Sequence, residues 1–155
     1  MEHRLNPLEK GMGAFKSLFG IGAYLAKSTV EQPLLHLIYF RVSQINGCAY
    51  CLDMHSKDLR AEGETEQRLY MVAGWREAIV FTDRERAALA WAEAVTNITD
   101  GVSTEVYEEA LKYFTEAELV DLTLATTTIN SYNRFNVAFQ VPGGTYQVGQ
   151  FAVKH

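Results

Sequence analysis

The sequence predicts an all-α fold, a single-domain helical bundle in which a CxxC motif stands at the N-terminus of a central helix. Apolar residues recur three and four positions apart along most of the chain, which is the spacing of one helix face. Helix-start signals, serine or threonine followed three residues later by glutamate, precede two of the longest segments. No segment alternates polar and apolar residues over a useful length, except possible alternation after Pro142.

Composition and charge limit the classes of protein to consider. The chain has 155 residues, 48% of them hydrophobic and 21% charged, which is typical of one globular domain, residues 1–155. The formal net charge is -5 and lysine and arginine are scattered, so we expect no nucleic-acid partner. Lys16 interrupts the apolar run nearest the N-terminus, so we expect no membrane partner and a cytoplasmic location. In that compartment a CxxC pair is more often catalytic, redox-sensing or metal-binding than structural.

The first half of the chain contains three predicted helices. The first carries apolar residues at near-helical spacing, namely Met12, Phe15, Leu18, Phe19 and Leu25. The second, "LLHLIYFRVSQI", follows Pro33 and ends at the turn signal Asn46-Gly47. The third, "AYCLDMHSKDLRAEG", ends near Gly63, where a glycine commonly follows the last helical turn. The two cysteines therefore lie at the start of a helix.

The second half continues as helices. A short one is predicted over "TEQRLYMVAGW", followed by "TDRERAALAWAEAVTNI", "STEVYEEALKYF" and "TEAELVDLTLATTTINSYNRFNVAF". Thr82 with Glu85 and Thr115 with Glu118 form capping-box patterns. The threonines at 123 and 126–128 disfavour helix by propensity, but the apolar spacing around them predicts that packing prevails. The tail "VPGGTYQVGQFAVKH" is expected to pack on the domain or on a neighbouring subunit.

The segment "NGCAYCLDMH" contains both cysteines of the chain. Residues three and four apart lie on the same side of a helix, so Cys48 and Cys51 are neighbours and His55 lies one turn beyond Cys51. A dithiol catalyst needs one thiolate, a second thiol close enough to form a disulfide, and a group that transfers protons. The helix N-terminus favours a negative sulfur, and His55 is placed for the proton transfer.

Other interpretations of the same residues stay open. Cys48, Cys51, His55 and His36 have the donor types of a zinc site, although CxxC pairs that bind zinc usually lie in turns. Two buried thiols and a core histidine would have no chemical role. Five aromatic residues, Tyr39, Phe40, Tyr50, Trp75 and Tyr132, either line an apolar pocket near the thiols or belong to the core. His3 and His155 are terminal, and no role is predicted for them.

Three stretches, "RVSQINGCAYCLDMHSKDLRAEGETEQRL", "FTDRERAALAWAEAVTNI" and "TTTINSYNRFNVAFQ", resemble the alkylhydroperoxidase-D-like proteins of the carboxymuconolactone decarboxylase family. The resemblance covers about residues 34–142, with the N-terminal helix and the C-terminal tail as extensions. It implies an all-helical fold, a homo-oligomer such as a trimer or hexamer, and reduction of hydroperoxides through a cysteine disulfide. The apolar segments "LLHLIYF" and "LAWAEAV" also favour an oligomer interface.

The resemblance assigns Cys48 and Cys51 as the redox pair and His55 as the proton-relay histidine. Family members usually have a glutamate twelve positions before the first cysteine, where this chain has His36. A carboxylate is the stronger electrostatic partner for His55, so a weaker or absent peroxidase activity is consistent with this replacement. Glu31 is interpreted as a solvated acid at a helix start and Arg134 as a structural ion-pair partner.

The sequence therefore predicts a thiol-dependent peroxidase that acts on a small organic hydroperoxide or hydrogen peroxide and is restored by an unidentified dithiol reductant. No organic cofactor and no metal are expected. Two alternatives remain: a redox-sensing or metal-binding scaffold without enzymatic activity, and a lyase of the carboxymuconolactone decarboxylase type. Lyase chemistry needs acid–base groups rather than a dithiol, so the CxxC pair counts against it.

Overall fold

A computed structural model describes residues 4–151 and confirms the all-α, single-domain prediction. His3 and His155 lie outside the described residues. Within 4–151 there is no strand, and the helices are α1 (Pro7–Lys10), α2 (Met12–Leu25), α3 (Gln32–Asn46), α4 (Ala49–Ala61), α5 (Glu66–Met71), α6 (Asp83–Thr96), α7 (Thr104–Leu111) and α8 (Glu116–Ala138). Two short 3₁₀ turns, Val72–Gly74 and Ile98–Asp100, follow α5 and α6.

The predicted start and stop signals determine the helix ends. Thr82 and Thr115 each accept a hydrogen bond from the backbone of the glutamate three residues later, and each glutamate returns one, so both capping boxes form. Gly47 ends α3 in the left-handed conformation, with φ 64°, which glycine adopts without a steric penalty. The short α1 was not predicted, and it begins with Asn6 as its N-cap and a proline in its first turn.

Helix α3 is the centre of the bundle, because it packs against α4, α6 and α8. Its buried apolar residues form the core with those of the surrounding helices. The threonines of α8 remain helical, as predicted. Their hydroxyl groups donate to carbonyls three or four residues earlier in the same helix, for example Thr126 to Leu122 at 2.8 Å.

The two apolar segments that favoured an oligomer interface differ in burial. Most apolar residues of "LLHLIYF" are buried inside this one chain. In "LAWAEAV" Leu89 and Ala92 are buried, whereas the other four apolar residues are half-buried. A homo-oligomer stays a prediction.

Residues 141–151, the described part of the C-terminal tail, lie without regular secondary structure against α4, and Tyr146 is buried there. Packing on the domain, one of the two predicted arrangements, is therefore what the structure has. Over the part of the chain that is described, no helix combines the length and apolar character needed to cross a membrane.

Candidate active site

The cysteine motif begins directly after the glycine that ends α3. Cys48 is the N-cap of α4 rather than a residue inside the helix, and its Sγ accepts a hydrogen bond from the Cys51 N–H at 3.3 Å. Cys48 and Cys51 form a disulfide across one helical turn, with their Cα atoms 5.3 Å apart. The predicted proximity of the two sulfurs is therefore present, in the oxidised state.

A polar network fixes the end of α3 immediately before the motif. Asn46 Nδ2 donates to the side-chain oxygens of Asn130 and Asn133, both at 2.9 Å. Asn133 is fully buried and donates to Ser43 Oγ at 3.0 Å. Since these asparagines belong to α8, the network holds the turn that leads to Cys48 against the longest helix.

Sequence reasoning missed this network, although a signal was present. Asn130, Asn133 and Asn136 recur every three residues along α8, which places an amide stripe on one side of a largely apolar helix. Arg134 has a structural role, as expected, but it donates to Asn130 rather than to an acidic side chain. Glu31 is not simply solvated either, since it pairs with Arg84 at 3.0 Å.

The two cysteines differ in their surroundings. Both are buried, with 0% of Cys48 and 1% of Cys51 exposed. Cys51 lines a cavity of about 570 Å³, whereas Cys48 is absent from its lining. Asn136 Nδ2 donates to Cys51 Sγ at 3.3 Å, so a polar hydrogen from α8 points at the sulfur that faces the cavity.

His55 also lines this cavity, one helical turn after Cys51. Only 8% of the residue is exposed, and its Nε2 is buried without a hydrogen-bond partner among the described residues. Burial, followed by the positive charge that His36 can carry, lowers the pKa of His55 to about 3. The imidazole is therefore neutral near pH 7, and its Nε2 has no hydrogen-bond partner among the described residues.

His36, like Cys48, is absent from the lining of the cavity that contains Cys51 and His55. Its Nδ1 lies 2.8 Å from Glu62 Oε2, and its ring contacts the ring of Tyr39 at a centroid distance of 5.9 Å. Tyr39 in turn contacts His55 at 5.5 Å, but the described residues include no hydrogen bond that joins the two histidines. A proton relay through His36 stays a prediction. The carboxylate next to His36 is that of Glu62.

The cavity is mostly apolar and aromatic. The pKa of Tyr39, which lines the cavity, is raised to about 12, mainly by burial. Its hydroxyl group is therefore neutral near pH 7, like His55. Among residues 4–151 the lining has no Asp, Glu, Lys or Arg; it consists of Asn6, Pro7, Leu8, Phe15, Phe19, Gly22, Leu25, Tyr39, Tyr50, Cys51, Met54, His55, Thr128, Ile129, Tyr132, Asn136, Val141, Pro142, Thr145, Gln150 and Phe151. The predicted aromatic pocket is thus correct for Tyr39, Tyr50 and Tyr132.

Phe40 and Trp75 do not line the cavity, and for these two residues the other predicted alternative, a place in the core, is the one observed. Phe40 belongs to the hydrophobic core, and the buried indole of Trp75 donates to Glu93 at 2.9 Å. The zinc alternative is not supported by the arrangement of its ligands. Throughout the described part of the chain, no group of three or more His, Cys, Asp or Glu side chains is placed to hold a metal ion.

Comparison with known proteins identifies the family. The model of the carboxymuconolactone decarboxylase family matches residues 13–94, which begin within α2. The uncharacterized protein YdfG of Bacillus subtilis (strain 168) is 37% identical over 139 residues, which are 89% of this chain and 95% of YdfG.

Solved structures share the fold. A protein of unknown function from Agrobacterium tumefaciens, suggested to be the antioxidant defence protein AhpD, is 36% identical with a TM-score of 0.89, over 94% of this chain and 100% of that one. The debrominase Bmp8 has a TM-score of 0.79 at 19% identity, over 89% of this chain and 75% of its own, and shows the fold alone. The chain belongs to the carboxymuconolactone decarboxylase family, as the resemblance to its alkylhydroperoxidase-D-like members predicted.

Proposed function

We propose that this protein is a thiol-dependent peroxidase that reduces hydroperoxides through Cys48 and Cys51. The observation that carries the proposal is the disulfide across one helical turn with Cys51 and His55 lining the same cavity. A peroxide bound in the cavity would meet a sulfur and an imidazole together. The suggested antioxidant role of the Agrobacterium relative agrees with this chemistry.

Cys51 is the proposed attacking residue because it faces the cavity and Cys48 does not. In the reduced protein, the Cys51 thiolate attacks the terminal oxygen of the hydroperoxide. An S–O bond forms, the O–O bond breaks, and the alkoxide takes a proton to leave as an alcohol. Cys51 is then a sulfenic acid.

Cys48 completes the cycle. Its sulfur attacks the Cys51 sulfur, and the hydroxyl group leaves as water together with the Cys48 proton. This step would produce the Cys48–Cys51 disulfide, which is the state that the structure has. An external dithiol then reduces the disulfide and becomes oxidised itself.

His55 is the proposed proton carrier. An imidazole with a pKa of about 3 is a poor base while the cysteines form a disulfide. A thiolate at Cys51 would raise that pKa, because a nearby negative charge favours the protonated ring. His55 would therefore take the thiol proton when the thiolate forms and return it to the departing alkoxide.

The test is steady-state consumption of cumene hydroperoxide with dithiothreitol as reductant. Cys51→Ser should abolish turnover, whereas Cys48→Ser should accumulate a sulfenic acid at Cys51 that dimedone traps. His55→Asn should lower kcat/KM by about 100-fold, within the usual range for a lost acid–base group. Equal rates for the wild type and Cys51→Ser would refute the proposal.

Two measurements separate the alternatives. In the peroxide assay, stoichiometric oxidation by one equivalent of peroxide without further turnover would identify a redox sensor. A lyase of the carboxymuconolactone decarboxylase type needs no dithiol, so decarboxylation of a lactone substrate, measured separately, would survive in the Cys48→Ser, Cys51→Ser double variant.

A further inference from the structure

Residues 141–151, here called the strap, follow α8 and lie across the helix that carries the disulfide. We propose that the strap, held in place by Asp53, excludes folded protein thiols from the Cys48–Cys51 disulfide and leaves the cavity as the route for small thiols. Asp53 is thus a positioning residue that determines which reductants reach the site.

Asp53 is the principal attachment point of the strap. It lies on α4 two residues after Cys51, and its Oδ2 accepts hydrogen bonds from the backbone N–H groups of Gly144 at 2.8 Å and Tyr146 at 2.9 Å. Its other oxygen pairs with Lys57 at 2.6 Å, and the carboxylate is only 13% exposed. Hydrogen bonds from backbone N–H groups to an ionised carboxylate are among the stronger ones in proteins.

Two further residues of α4 hold the same part of the strap. Lys57 Nζ donates to the Tyr146 carbonyl at 2.9 Å, and the Tyr146 hydroxyl donates to Asp58 at 2.9 Å. The strap is therefore attached to one face of α4 through polar groups. Burial raises the pKa of Asp53, but the hydrogen bonds from Lys57 and from the strap outweigh it, so the net pKa is lowered and the carboxylate is ionised near pH 7.

The strap also contacts the first turn of α4 closely. A Cβ atom built on Gly143 would lie 2.5 Å from the Ala49 carbonyl oxygen, so only glycine fits at this point. Ala49 lies between the two cysteines, directly after Cys48. The strap backbone thus covers the turn that the disulfide closes, and both sulfurs are almost completely buried.

Part of the cavity wall comes from the strap as well, through Val141, Pro142, Thr145, Gln150 and Phe151. Thiol–disulfide exchange requires a thiolate to reach one sulfur directly. The thiolate of a small dithiol can attack Cys51 from the cavity, form a mixed disulfide and release Cys48 as a thiolate. Its second thiol then attacks the mixed disulfide and releases Cys51. A thiol on a folded protein surface cannot enter until the strap moves.

The experiment measures the rate of disulfide reduction without peroxide, so its outcome does not depend on the proposed peroxidase activity. Oxidised protein is mixed with dithiothreitol or with a reduced thioredoxin, and quenched samples are alkylated and counted by mass spectrometry. Asp53→Asn should raise the thioredoxin rate at least tenfold and change the dithiothreitol rate less than threefold. Asp100→Asn, a carboxylate outside the strap contacts, should leave both rates unchanged.

Gly143→Ala provides a second way to lift the strap without altering Asp53. It should raise the same thioredoxin rate selectively, and backbone hydrogen exchange over 141–151 should become faster in both variants. Faster exchange without a selective gain for thioredoxin would overturn the proposal. Unchanged exchange in both variants would overturn it too, since Asp53 and Gly143 would then not hold the strap.

Discussion

Replacing His55 by leucine should make the stability of the oxidised protein less sensitive to acid. The folded-state pKa of His55 is lowered to about 3, mainly by burial, whereas an imidazole in an unfolded chain titrates near 6.5. Between these two values the unfolded chain binds a proton that the folded protein does not bind. Stability is therefore unaffected by this group above about pH 6.5 and falls as the pH decreases from there toward about 3.

The size of the effect follows from the same two pKa values. Each pH unit inside the window costs about 1.4 kcal/mol of the free energy of unfolding. Between about pH 7.5 and about pH 4.5 the wild type should lose 2 to 3 kcal/mol, as an order of magnitude, through His55 alone. This loss is a large fraction of the stability of a typical domain.

Urea unfolding at several pH values measures the free energy of unfolding of both proteins. Other titrating groups contribute to both curves, so the wild-type-minus-variant difference isolates His55. As the pH falls from about 7.5 to about 4.5, the free energy of unfolding of His55→Leu should increase by about 2 to 3 kcal/mol relative to that of the wild type. Met54→Leu, a neighbouring substitution in the cavity wall without a titrating group, is the control and should follow the wild-type curve. A difference that stays constant with pH would refute the reasoning.

Three further predictions concern stability at neutral pH, measured by urea unfolding. Glu93→Gln should lower the free energy of unfolding by about 2 to 3 kcal/mol, because the buried carboxylate accepts hydrogen bonds from Arg41, Trp75 and Arg76. The control is Glu109→Gln, at a half-exposed carboxylate paired with Lys112, which should lower it by less than about 0.5 kcal/mol. Asn133→Ala should lower the free energy of unfolding by about 2 kcal/mol, because a fully buried side chain is lost and Asn46 and Ser43 each lose one hydrogen bond. Gly20→Ala should add up to about 1 kcal/mol, since its Cβ meets no atom within 4 Å in α2.

Each of these predictions has a contradicting result. Equal losses for the two glutamate variants would mean that the buried carboxylate contributes nothing beyond a surface charge. Full stability of Asn133→Ala would show that water replaces the amide network at the end of α3. A loss of stability on Gly20→Ala would mean that α2 needs the flexibility of glycine rather than its small size.

Helix positions were predictable because their causes are local in the sequence. The capping boxes at Thr82 and Thr115 and the glycine after Asn46 lie within a few residues of the ends that they determine. Helix α1 escaped prediction because a four-residue helix shows no periodicity. The proline in its first turn and the preceding Asn6, a common N-cap residue, were the features of the sequence that could have indicated it.

Some features of the candidate site also have local causes in the sequence, and others do not. Spacing alone predicts that Cys48, Cys51 and His55 share one side of α4. In the structure a disulfide joins Cys48 to Cys51, and Cys51 and His55 line one cavity. Spacing does not reveal that His36 points away toward Glu62, since that depends on how α3 crosses the end of α4. The difference between Cys51 and Cys48 also depends on neighbouring elements, because α2, α8 and the tail form the cavity.

Asp53 shows why the remainder could not be predicted. In the sequence it is one polar residue among several on α4, and such a residue is ordinarily a solvated surface charge. Its role arises only when a tail about 90 residues later returns to the same helix and presents two N–H groups. Because the tail has no apolar periodicity, its sequence does not predict which helix it packs against. Every residue except proline has a backbone N–H group, so the two hydrogen bonds to Asp53 require no particular residue type in the tail. The close contact of Gly143 with Ala49 does require glycine.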